Sequence, residues 1–580
     1  MSRWPIYDRA SKTFPLYSRA NVGEIFPDPI SPLNASVGFQ ANLSPAWDDA
    51  FVACRVWDHD LYDKEVEHNN LPAFGSYLYI NMSLMRLFGV RVPGMTPEAV
   101  DLQYFGDMPG IPSYESEKRD FDENPEFSAK AGEWLANEVL GATDLAAYDD
   151  DRRTVDEIRK NRPDLSALTD AELVERLTSF GDVFRPMLRR HMEASLKCGV
   201  GLGAVAQIAE AVGRPELSLT LVAGIGDVDS TGPSTGMWEL SRLAREGKVA
   251  ELFDSVPMAE LHERLKASDD PEVAAFTAKL DAFLSEWDFR GQSEWEIRAK
   301  TWGIDPTPVL STVDRMRGVP DEESPAAKNA ERVAQREEAT KQVREALAGD
   351  AEALAQFEAA LHGAALWLRG RERSRTACAK LIHELRLPAL ELGRRHHAAG
   401  ALRSPLQIFM LFGDELPKFL EKPGDFTEVL EERERVYEDL FDREPPFVVV
   451  GRPDPVETWP RRSEKSVDGV EAGTVIQGVP GCGGVARGRA RVITSPDDPT
   501  ALEPGEILVA PITDPSWTPL FVPAAAVVVD VGAPFSHAAI VSRELGIPCV
   551  VSATQASSRI KDGALIEVDG TTATVTVIEP

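Results

Sequence analysis

The stretch VVVDVGAPFSHAAIVSRELGIPCVV, residues 527–551, contains the densest chemical signal in the sequence. Its apolar ends read as two buried strands, and SHAAIVSREL over 536–545 reads as a helix between them. Ser536 is a preferred N-cap residue, so it places His537 on the first turn of that helix. We therefore expect a small α/β unit with a largely exposed histidine at the start of its helix.

The position of His537 suggests a nucleophile. The helix dipole disfavours the imidazolium form, so a neutral, nucleophilic imidazole is available near neutral pH. A phosphoryl group carried on that ring would face the unpaired N–H groups of the first turn, which form an anion site. A lone histidine at a helix start is more often structural, so the surrounding residues must decide between the two interpretations.

Further strand candidates surround this helix. They are rich in valine and isoleucine and lie at 489–494, 505–511, 525–531, 548–552, 564–570 and 572–578. Together they predict a small α/β domain over 474–580. Residues 444–473 are crowded with proline, glycine and charge, which predicts a flexible linker.

The residues before the linker predict a large, mainly α-helical domain over 1–443. Apolar positions three and four apart dominate 125–440, whereas 1–110 are rich in aromatic residues, proline and glycine. The helical pattern of 324–415 breaks only at Gly349, Gly363, Gly370 and Pro388, which predicts several long helices. The protein is thus expected to be multidomain.

Composition excludes several classes of protein. The 580 residues include 62 Lys and Arg against 94 Asp and Glu, a net charge of −32, which argues against nucleic acid or membrane partners. The five cysteines form no Cys-x-x-Cys pair, so neither a disulfide framework nor a structural zinc site is expected. The first residues contain no apolar segment of signal-peptide length, and no apolar run reaches the ~20 residues that span a bilayer. We expect a cytoplasmic protein.

The segment Gly532 to Val551 resembles the phosphohistidine swivelling domain of the phosphoenolpyruvate-utilising enzymes, in which Ser-His-Ala-Ala precedes Arg-Glu-x-Gly-Ile-Pro. GVPGCGGVARGRARV (478–492) resembles the opening of that domain, and TDPSWTPLF (513–521) resembles the loop beside the histidine. Ala533 and Cys482 depart from the family pattern without touching the nucleophile. The resemblance implies that His537 carries a phosphoryl group.

Residues 1–440 resemble the acceptor-binding domain of rifampicin phosphotransferase and of split phenol kinases such as phenylphosphate synthase and acetovanillone-type kinases. Five segments carry this resemblance in family order: 18–36, which contains Asn-Val-Gly-Glu, 74–85, 287–302, 368–386 and 402–416. Gln407 replaces an aspartate of the family pattern, and Arg375 replaces a lysine.

Two groups of charged residues in these segments are candidate site residues. Arg290 and Glu294 are four apart and would share a helix face, and Arg371, Glu372 and Arg375 lie within about one turn. A focused arginine cluster in an acidic protein is suited to a phosphoryl oxyanion, and Glu372 could orient an acceptor hydroxyl or take its proton. Salt-bridged surface helices are the alternative.

The predicted site divides into catalytic and binding residues. The catalytic residues are His537, Glu372 and Arg375, and the residues that bind substrate or phosphate are Arg371, Arg290, Glu294, Ser536, Thr513, Asp514 and Trp517. Trp517 is equally well explained as a core residue. His383, His396 or His397 could be the general base for the acceptor, whereas His59 and His68 are expected to be structural. No metal site is predicted.

The resemblance implies a subunit of an ATP-dependent phosphotransferase. A separate ATP-grasp subunit would bind ATP and Mg²⁺ and charge His537, with AMP and phosphate as products, because we find no phosphate loop of the GxxxxGK[ST] type. GVGLGAVAQ (199–207) is predicted to be a packing segment. The acceptor is expected to be a phenolic hydroxyl, which suggests a heteromeric kinase of aromatic compound catabolism. A rifamycin-like antibiotic phosphotransferase and a non-catalytic binding homologue are the alternatives.

Overall fold

The computed structural model describes residues 4–580 except 107, 109, 228, 465–468, 495–501, 515–516, 533–535 and 554. The chain is 58% helical, with a large helical part followed by a small α/β sheet part, which confirms the predicted fold class. In the part of the chain that the structure describes, every helix is too short or too polar to cross a bilayer.

The helical part contains the following α-helices: α1 (Val22–Ile25), α2 (Pro32–Asn34), α3 (Ser44–Ala53), α4 (Met82–Arg91), α5 (Pro97–Phe105), α6 (Pro125–Trp134), α7 (Ala146–Lys160), α8 (Asp170–Thr178), α9 (Gly181–Ala211), α10 (Gly232–Leu243), α11 (Gly247–Ser255), α12 (Met258–Lys266), α13 (Pro271–Trp287), α14 (Thr307–Arg317), α15 (Pro325–Ala346), α16 (Ala351–Ala398), α17 (Leu416–Glu421) and α18 (Thr427–Asp442). Short strands accompany them: β1 (Leu16–Ser18), β2 (Ala73–Phe74), β3 (Tyr77–Leu78), β4 (Ile80–Asn81) and β5 (Val448–Val450).

Helix α16 runs for 48 residues and is longer than the sequence predicts. The expected breaks at Gly363, Gly370 and Pro388 are wrong, because the helix continues through all three. Gly363 serves close packing instead: a Cβ atom there would lie 2.8 Å from the carbonyl oxygen of Val139. Pro388 is buried within the helix, and burial over such a length outweighs the ~3 kcal/mol that an internal proline costs.

Helices α9 and α16 form the central pair of the helical part. A Cβ atom on Gly201 would lie 3.2 Å from the Cα atom of Ala364, so glycine permits the close approach of the two helices. The prediction that 199–207 is a packing segment is confirmed, since these residues lie inside α9. The pair brings His191 of α9 and Arg371 of α16 to the same region.

The sheet part contains β6 (Val475–Gln477), β7 (Val479–Cys482), β8 (Val485–Val492), β9 (Ile507–Ala510), β10 (Ala526–Val529), β11 (Cys549–Val551), β12 (Leu565–Asp569) and β13 (Thr574–Glu579), with helices α19 (Thr518–Phe521), α20 (His537–Leu545) and α21 (Ala556–Arg559). The strand order is β6-β13-β12-β8-β9-β10-β11-β7. Strands β8 to β11 are parallel neighbours, and all six predicted strands and the helix over 536–545 are confirmed.

Strand β10 is buried on both faces, which explains the continuous run of valines before the histidine. Val527 and Val529 pack on the α20 side of the sheet, whereas Val528 packs in the core on the opposite face. Successive side chains of a strand point to opposite faces, so a parallel strand that is covered on both sides must be apolar throughout. This buried strand holds the start of α20 in position.

The described part of the predicted linker lies against the helical part. Strand β5 pairs antiparallel with β1, and the N–H of Gly451 donates a hydrogen bond to the carbonyl of Pro15 at 2.7 Å. Trp459 is buried, with its ring 5.9 Å from that of Tyr77. Residues 465–468 are outside the described residues, and the domain boundaries at 443 and 473 stay predictions.

The α20 side of the sheet part is docked on the helical part. From α15, Lys328 donates to the carbonyl of Val522 at 3.2 Å and Arg332 donates to that of Gly546 at 2.6 Å. Gly546 is the left-handed C-cap of α20, with a φ of 70°, and its missing side chain leaves room for the guanidinium. At the same face, the Glu544 carboxylate accepts a hydrogen bond from the N–H of Ile225 at 3.4 Å.

Candidate functional site

His537 is the first residue of α20, and Ser536 is its N-cap, as the sequence predicts. The Ser536 hydroxyl accepts a hydrogen bond from the N–H of Ala539 at 3.5 Å. The expected exposure of the histidine is wrong: only 3% of His537 is exposed, because the helical part covers it. Residues 533–535 of the motif lie outside the described residues.

Both nitrogens of the His537 ring contact threonine hydroxyls. Nδ1 lies 3.2 Å from Oγ1 of Thr513, and Nε2 lies 3.0 Å from Oγ1 of Thr518. The ring of Phe521 meets the imidazole edge-on, with 5.8 Å between the ring centres. A neutral imidazole has one donor and one acceptor nitrogen, and a hydroxyl can complement either. Thr513 was predicted as a site residue, whereas Thr518 was missed although it lies in the same loop motif.

The predicted arginines and glutamates come together beside the histidine. Arg371 donates to Oε1 of Glu372 at 2.5 Å, and Arg290 donates to Oε1 of Glu294 at 2.8 Å. The salt bridges of the alternative interpretation, salt-bridged surface helices, are present, but its surface location is wrong because all of these side chains are buried. The expectation that Arg290 and Glu294 share a helix face is also wrong, since they lie in turns after α13, yet they do pair.

Arg375 differs from the other two arginines. It is 4% exposed, and its Nε atom is buried without a hydrogen-bond partner. In the described part of the chain, Arg375 has no hydrogen bond or ion pair, whereas Arg290 and Arg371 each contact a carboxylate. Burial lowers the pKa of Arg375, and the charges of Glu372 and Glu294 raise it in part. An unpaired buried guanidinium beside a histidine is suited to binding an anion.

Burial, followed by the charges of Arg375, Arg371 and Arg290, lowers the pKa of His537 well below its ordinary value. The imidazole is therefore neutral at physiological pH, as expected for a nucleophile. The sequence attributed this neutrality to the helix dipole, whereas the structure assigns it to burial and to three guanidinium groups. All three arginines predicted for the site thus act on the histidine.

Asp514 and Trp517 have structural contacts. The carboxylate of Asp514 accepts a hydrogen bond from the N–H of Ser293 at 3.1 Å, which joins the histidine loop to the turns after α13. Trp517 is 3% exposed and packs in the apolar core beside α19, which favours the core interpretation. Residues 515–516 between them lie outside the described residues.

Glu24 is a site residue that the sequence reasoning missed. Its carboxylate accepts a hydrogen bond at 3.1 Å from the N–H of His537, across 513 residues of chain. This N–H is one of the groups that we expected to face a phosphoryl group, and here a carboxylate takes that place. Glu24 is the last residue of the Asn-Val-Gly-Glu motif, and this motif is the sequence feature from which its role in the site could have been predicted. Burial raises its pKa from 4.5 to about 7.

Glu24→Gln is expected to stabilise the folded chain near pH 8 much more than near pH 5. The raised pKa, about 7 against 4.5, means that the folded state favours protonated Glu24. The contribution of Glu24 to stability is therefore complete below the ordinary pKa of glutamate and is lost as the pH rises through about 7. The loss is on the order of 3 kcal/mol, which glutamine avoids because it does not ionise. Urea unfolding at the two pH values measures the difference.

Glu126→Gln is the matched control, since Glu126 is 75% exposed on α6 and should give little pH-dependent change. If Glu24→Gln changed the free energy of unfolding equally at both pH values, the raised pKa of Glu24 would be contradicted.

A cavity opens next to this cluster. Its ionisable lining residues include Glu24, His191, Arg371 and Arg375. The remaining wall is largely apolar, with contributions from Trp47, Phe51, Met85, Phe88, Met95, Val100, Tyr104, Met192 and Leu202. Val531, Gly532 and Ile540 of the sheet part complete the wall, so the cavity is whole only when the two parts are docked. An apolar molecule with one polar group facing the arginines fits this arrangement.

The predicted candidates for a general base lie elsewhere in the fold. His383 contacts Arg386 and Thr301, His396 contacts Asp170 at 2.9 Å, and His397 contacts the carbonyl of Leu402 at 2.9 Å. None of the three lines the cavity. His191 does line it, and the sequence reasoning did not select His191.

The acidic histidine segment near the N-terminus has structural contacts. Nδ1 of His68 lies 2.8 Å from the carboxylate of Asp8, and the ring packs against Phe39. His59 lies near Asp49 at the surface. Within the described ranges, no group of histidine, cysteine and acidic residues is arranged to hold a metal ion.

Comparisons with known proteins match two segments of the chain. Residues 190–372 match the family described as the rifampicin phosphotransferase fourth domain, and residues 502–573 match the mobile domain of PEP-utilising enzymes. An uncharacterised protein of Mycobacterium tuberculosis is 28% identical over 585 residues, which cover 98% of this chain and 62% of that protein. The chain thus spans less than two thirds of the length of this relative.

Two relatives have descriptive names. The prodigiosin synthesizing transferase PigC of Serratia marcescens is 29% identical over 425 residues, 71% of this chain and 46% of PigC. The rifampicin phosphotransferase of Bacillus subtilis is 36% identical over 173 residues, 30% of this chain and 19% of that enzyme.

Proposed function

We propose, from the premise that this chain belongs to the phosphoenolpyruvate-utilising enzyme family and contains its mobile domain over 502–573, that it carries a phosphoryl group on His537. From there the group passes to the hydroxyl of an organic acceptor. The observation that carries this proposal is the environment of His537. Its imidazole is buried, its pKa is lowered by burial and by the charges of Arg375, Arg371 and Arg290, and the backbone N–H of His537 donates to Glu24, which lines the cavity.

The arginines are suited to the charge that moves during transfer. In phosphoryl transfer, negative charge spreads over the oxygens of the transferred group, and fixed cations in a dry site stabilise it. Arg375 is available to the phosphoryl oxygens because it contacts no carboxylate in the described part of the chain. Arg371 faces the same cavity while its guanidinium is held in place by Glu372.

The lining of the cavity favours a phenolic acceptor. Trp47, Phe51, Phe88 and Tyr104 supply aromatic surface, and the two arginines line the same cavity. A flat aromatic ring with one hydroxyl would bury its ring against the wall and direct its oxygen toward the phosphoryl group. A rifamycin-like acceptor is the second candidate, supported by the match of 190–372 to a rifampicin phosphotransferase domain.

Charging of His537 is proposed to require a separate ATP-grasp subunit that binds ATP and Mg²⁺ and releases AMP and phosphate. The ring is 3% exposed in the docked arrangement, and direct transfer needs reacting atoms within about 3–3.5 Å of each other. A nucleotide phosphate cannot approach so closely here, so the sheet part must leave the helical part to be charged. A swivelling motion between two orientations meets this requirement.

Transfer from a charged chain tests the acceptor. The chain is incubated with the ATP-grasp protein and ATP labelled at the β-phosphate, freed of nucleotide, and mixed with phenol, 2-naphthol or rifampicin. We expect label on a phenol within one turnover of the enzyme. Transfer to rifampicin alone would favour the antibiotic alternative, and a chain that accepts no label would contradict the phosphohistidine role.

A further inference from the structure

Glu24 connects the cavity to the histidine. Its carboxylate lines the cavity, is 5% exposed, and accepts the N–H of His537 at 3.1 Å. It comes from α1, whereas the histidine comes from α20, so the contact forms only when the two parts dock. Phosphoryl transfer through His537, Arg371 and Arg375 leaves this carboxylate without a role.

The other buried carboxylates of the cluster are already occupied. The carboxylate of Glu372 pairs with the guanidinium of Arg371 at 2.5 Å, and the carboxylate of Glu294 pairs with the guanidinium of Arg290 at 2.8 Å. The carboxylate of Asp514 accepts a hydrogen bond from the N–H of Ser293 at 3.1 Å. Of the described carboxylates in this cluster, only Glu24 both lines the cavity and lacks an ion pair. A carboxylate without a cationic partner retains the basicity needed to accept a proton.

We propose that Glu24 is the general base that takes the proton of the acceptor hydroxyl, a role that rests on the function proposed above. The acceptor oxygen attacks the phosphorus atom of phospho-His537, and its O–H bond breaks as the proton moves to the Glu24 carboxylate. The N–P bond breaks, and its electron pair returns to the ring nitrogen. That nitrogen then takes a proton from Glu24, which restores the neutral imidazole and the carboxylate without a further reactant.

The proton balance also explains why a base of this kind is required. His537 carries the phosphoryl group and has no free electron pair at the reacting nitrogen until the N–P bond has broken. Arg371 and Arg375 are cations and cannot accept a proton. Burial and these two arginines hold the pKa of His191 well below its ordinary value, so its imidazole is a weak base. Glu24 is therefore the group in the lining of the cavity that is suited to hold the proton between the two steps.

The groups facing Glu24 titrate outside the range in which it changes charge. The pKa values of His537 on α20 and His191 on α9 are held well below the ordinary value by burial, and burial raises that of Tyr104 on α5 to about 12. Arg371 and Arg375 of α16 also line the cavity. A rate that depends on ionised Glu24 should therefore fall as the pH decreases through about 7.

Glu24→Gln tests the proposal, because its amide oxygen can still accept the N–H of His537. Wild type and variant are charged with phosphoramidate, which phosphorylates histidine without a protein partner, and are mixed with phenol or with 4-nitrophenol. Near pH 8, 4-nitrophenol is largely ionised and phenol is not, so only phenol needs a base. Release of phosphate from each charged chain without a phenol is the blank.

We expect the variant to transfer phosphate to phenol about 10²–10⁴-fold more slowly and to 4-nitrophenol less than about tenfold more slowly. The wild-type profile should show a break near pH 7 from the titration of Glu24, and this break should be absent from the variant, whose rate should follow only the ionised fraction of the phenol. Equal slowing with both phenols, or an unchanged pH profile, would overturn the role of Glu24 while leaving the proposed function intact. No transfer from the wild type to either phenol would instead overturn the phenolic acceptor, and the role of Glu24 with it.

Discussion

His537→Gln is expected to abolish both the loading of phosphate and its transfer. The imidazole is the proposed carrier, and an amide in its place cannot form a stable bond to phosphorus. Glutamine keeps a polar side chain between Thr513 and Thr518, which contact the two ring nitrogens at 3.2 and 3.0 Å. The side chain is buried, so alanine would leave a cavity and lower stability as well. Label from the β-phosphate of ATP should be acid-labile and base-stable in the wild type and absent from the variant.

His396→Ala is the matched control. His396 contacts Asp170 near the end of α16, away from the cavity, and the variant should accept label at the wild-type rate. Label retained by His537→Gln, or lost equally from both variants, would contradict the assignment of the carrier.

Arg375→Met should lower phosphate transfer about 10²–10³-fold while leaving the folded chain at least as stable as the wild type. Loss of one fixed charge at the transferring group accounts for the effect on the rate. The effect on stability follows because Arg375 is 4% exposed and has no hydrogen bond or ion pair among the described residues. Replacing a buried, unpaired charge by an apolar side chain of similar length removes a desolvation cost. Single-turnover transfer and urea unfolding measure the two quantities.

Arg371→Met is the matched comparison for Arg375→Met, because Arg371 has a carboxylate partner. Arg371 pairs with Glu372 at 2.5 Å, so its loss leaves a buried carboxylate unpaired and should lower both transfer and stability. If Arg375→Met destabilised the chain as much as Arg371→Met, the view that Arg375 is kept for an incoming anion would be wrong.

Local sequence patterns predicted six of the eight described strands of the sheet part and its helix α20, but not β6, β7, α19 or α21. The strands of 474–580 and the helix that begins at His537 are short, and their boundaries coincide with turn residues and with the N-cap Ser536. The helical part was harder, because Gly363 and Gly370 mark tight packing against other segments rather than helix ends. Whether a glycine ends a helix or permits a contact depends on distant residues, which a local pattern does not contain.

In the candidate site, residues that are close in sequence could be predicted, whereas residues that only the fold brings together could not. The charged residues of 368–386 are recognisable because they lie close together in sequence. Arg290 and Glu294 do pair, although they lie in turns and not on the helix that the sequence predicts. Glu24 was missed because its contact with His537 spans 513 residues and exists only through docking. The general-base candidates on α16 were chosen by residue type alone, and the structure places them away from the cavity.

In the proposed cycle, the wall that Val531, Gly532 and Ile540 add to the cavity favours one order of events. The docked sheet part covers this side of the cavity, so we expect the acceptor to bind before the phosphorylated sheet part docks. The same closure keeps water from the phosphoryl group, which limits futile hydrolysis. The phosphorylated product is trapped in turn until the sheet part leaves to be recharged. Each departure therefore ends one cycle and admits the next acceptor, and turnover can be no faster than undocking.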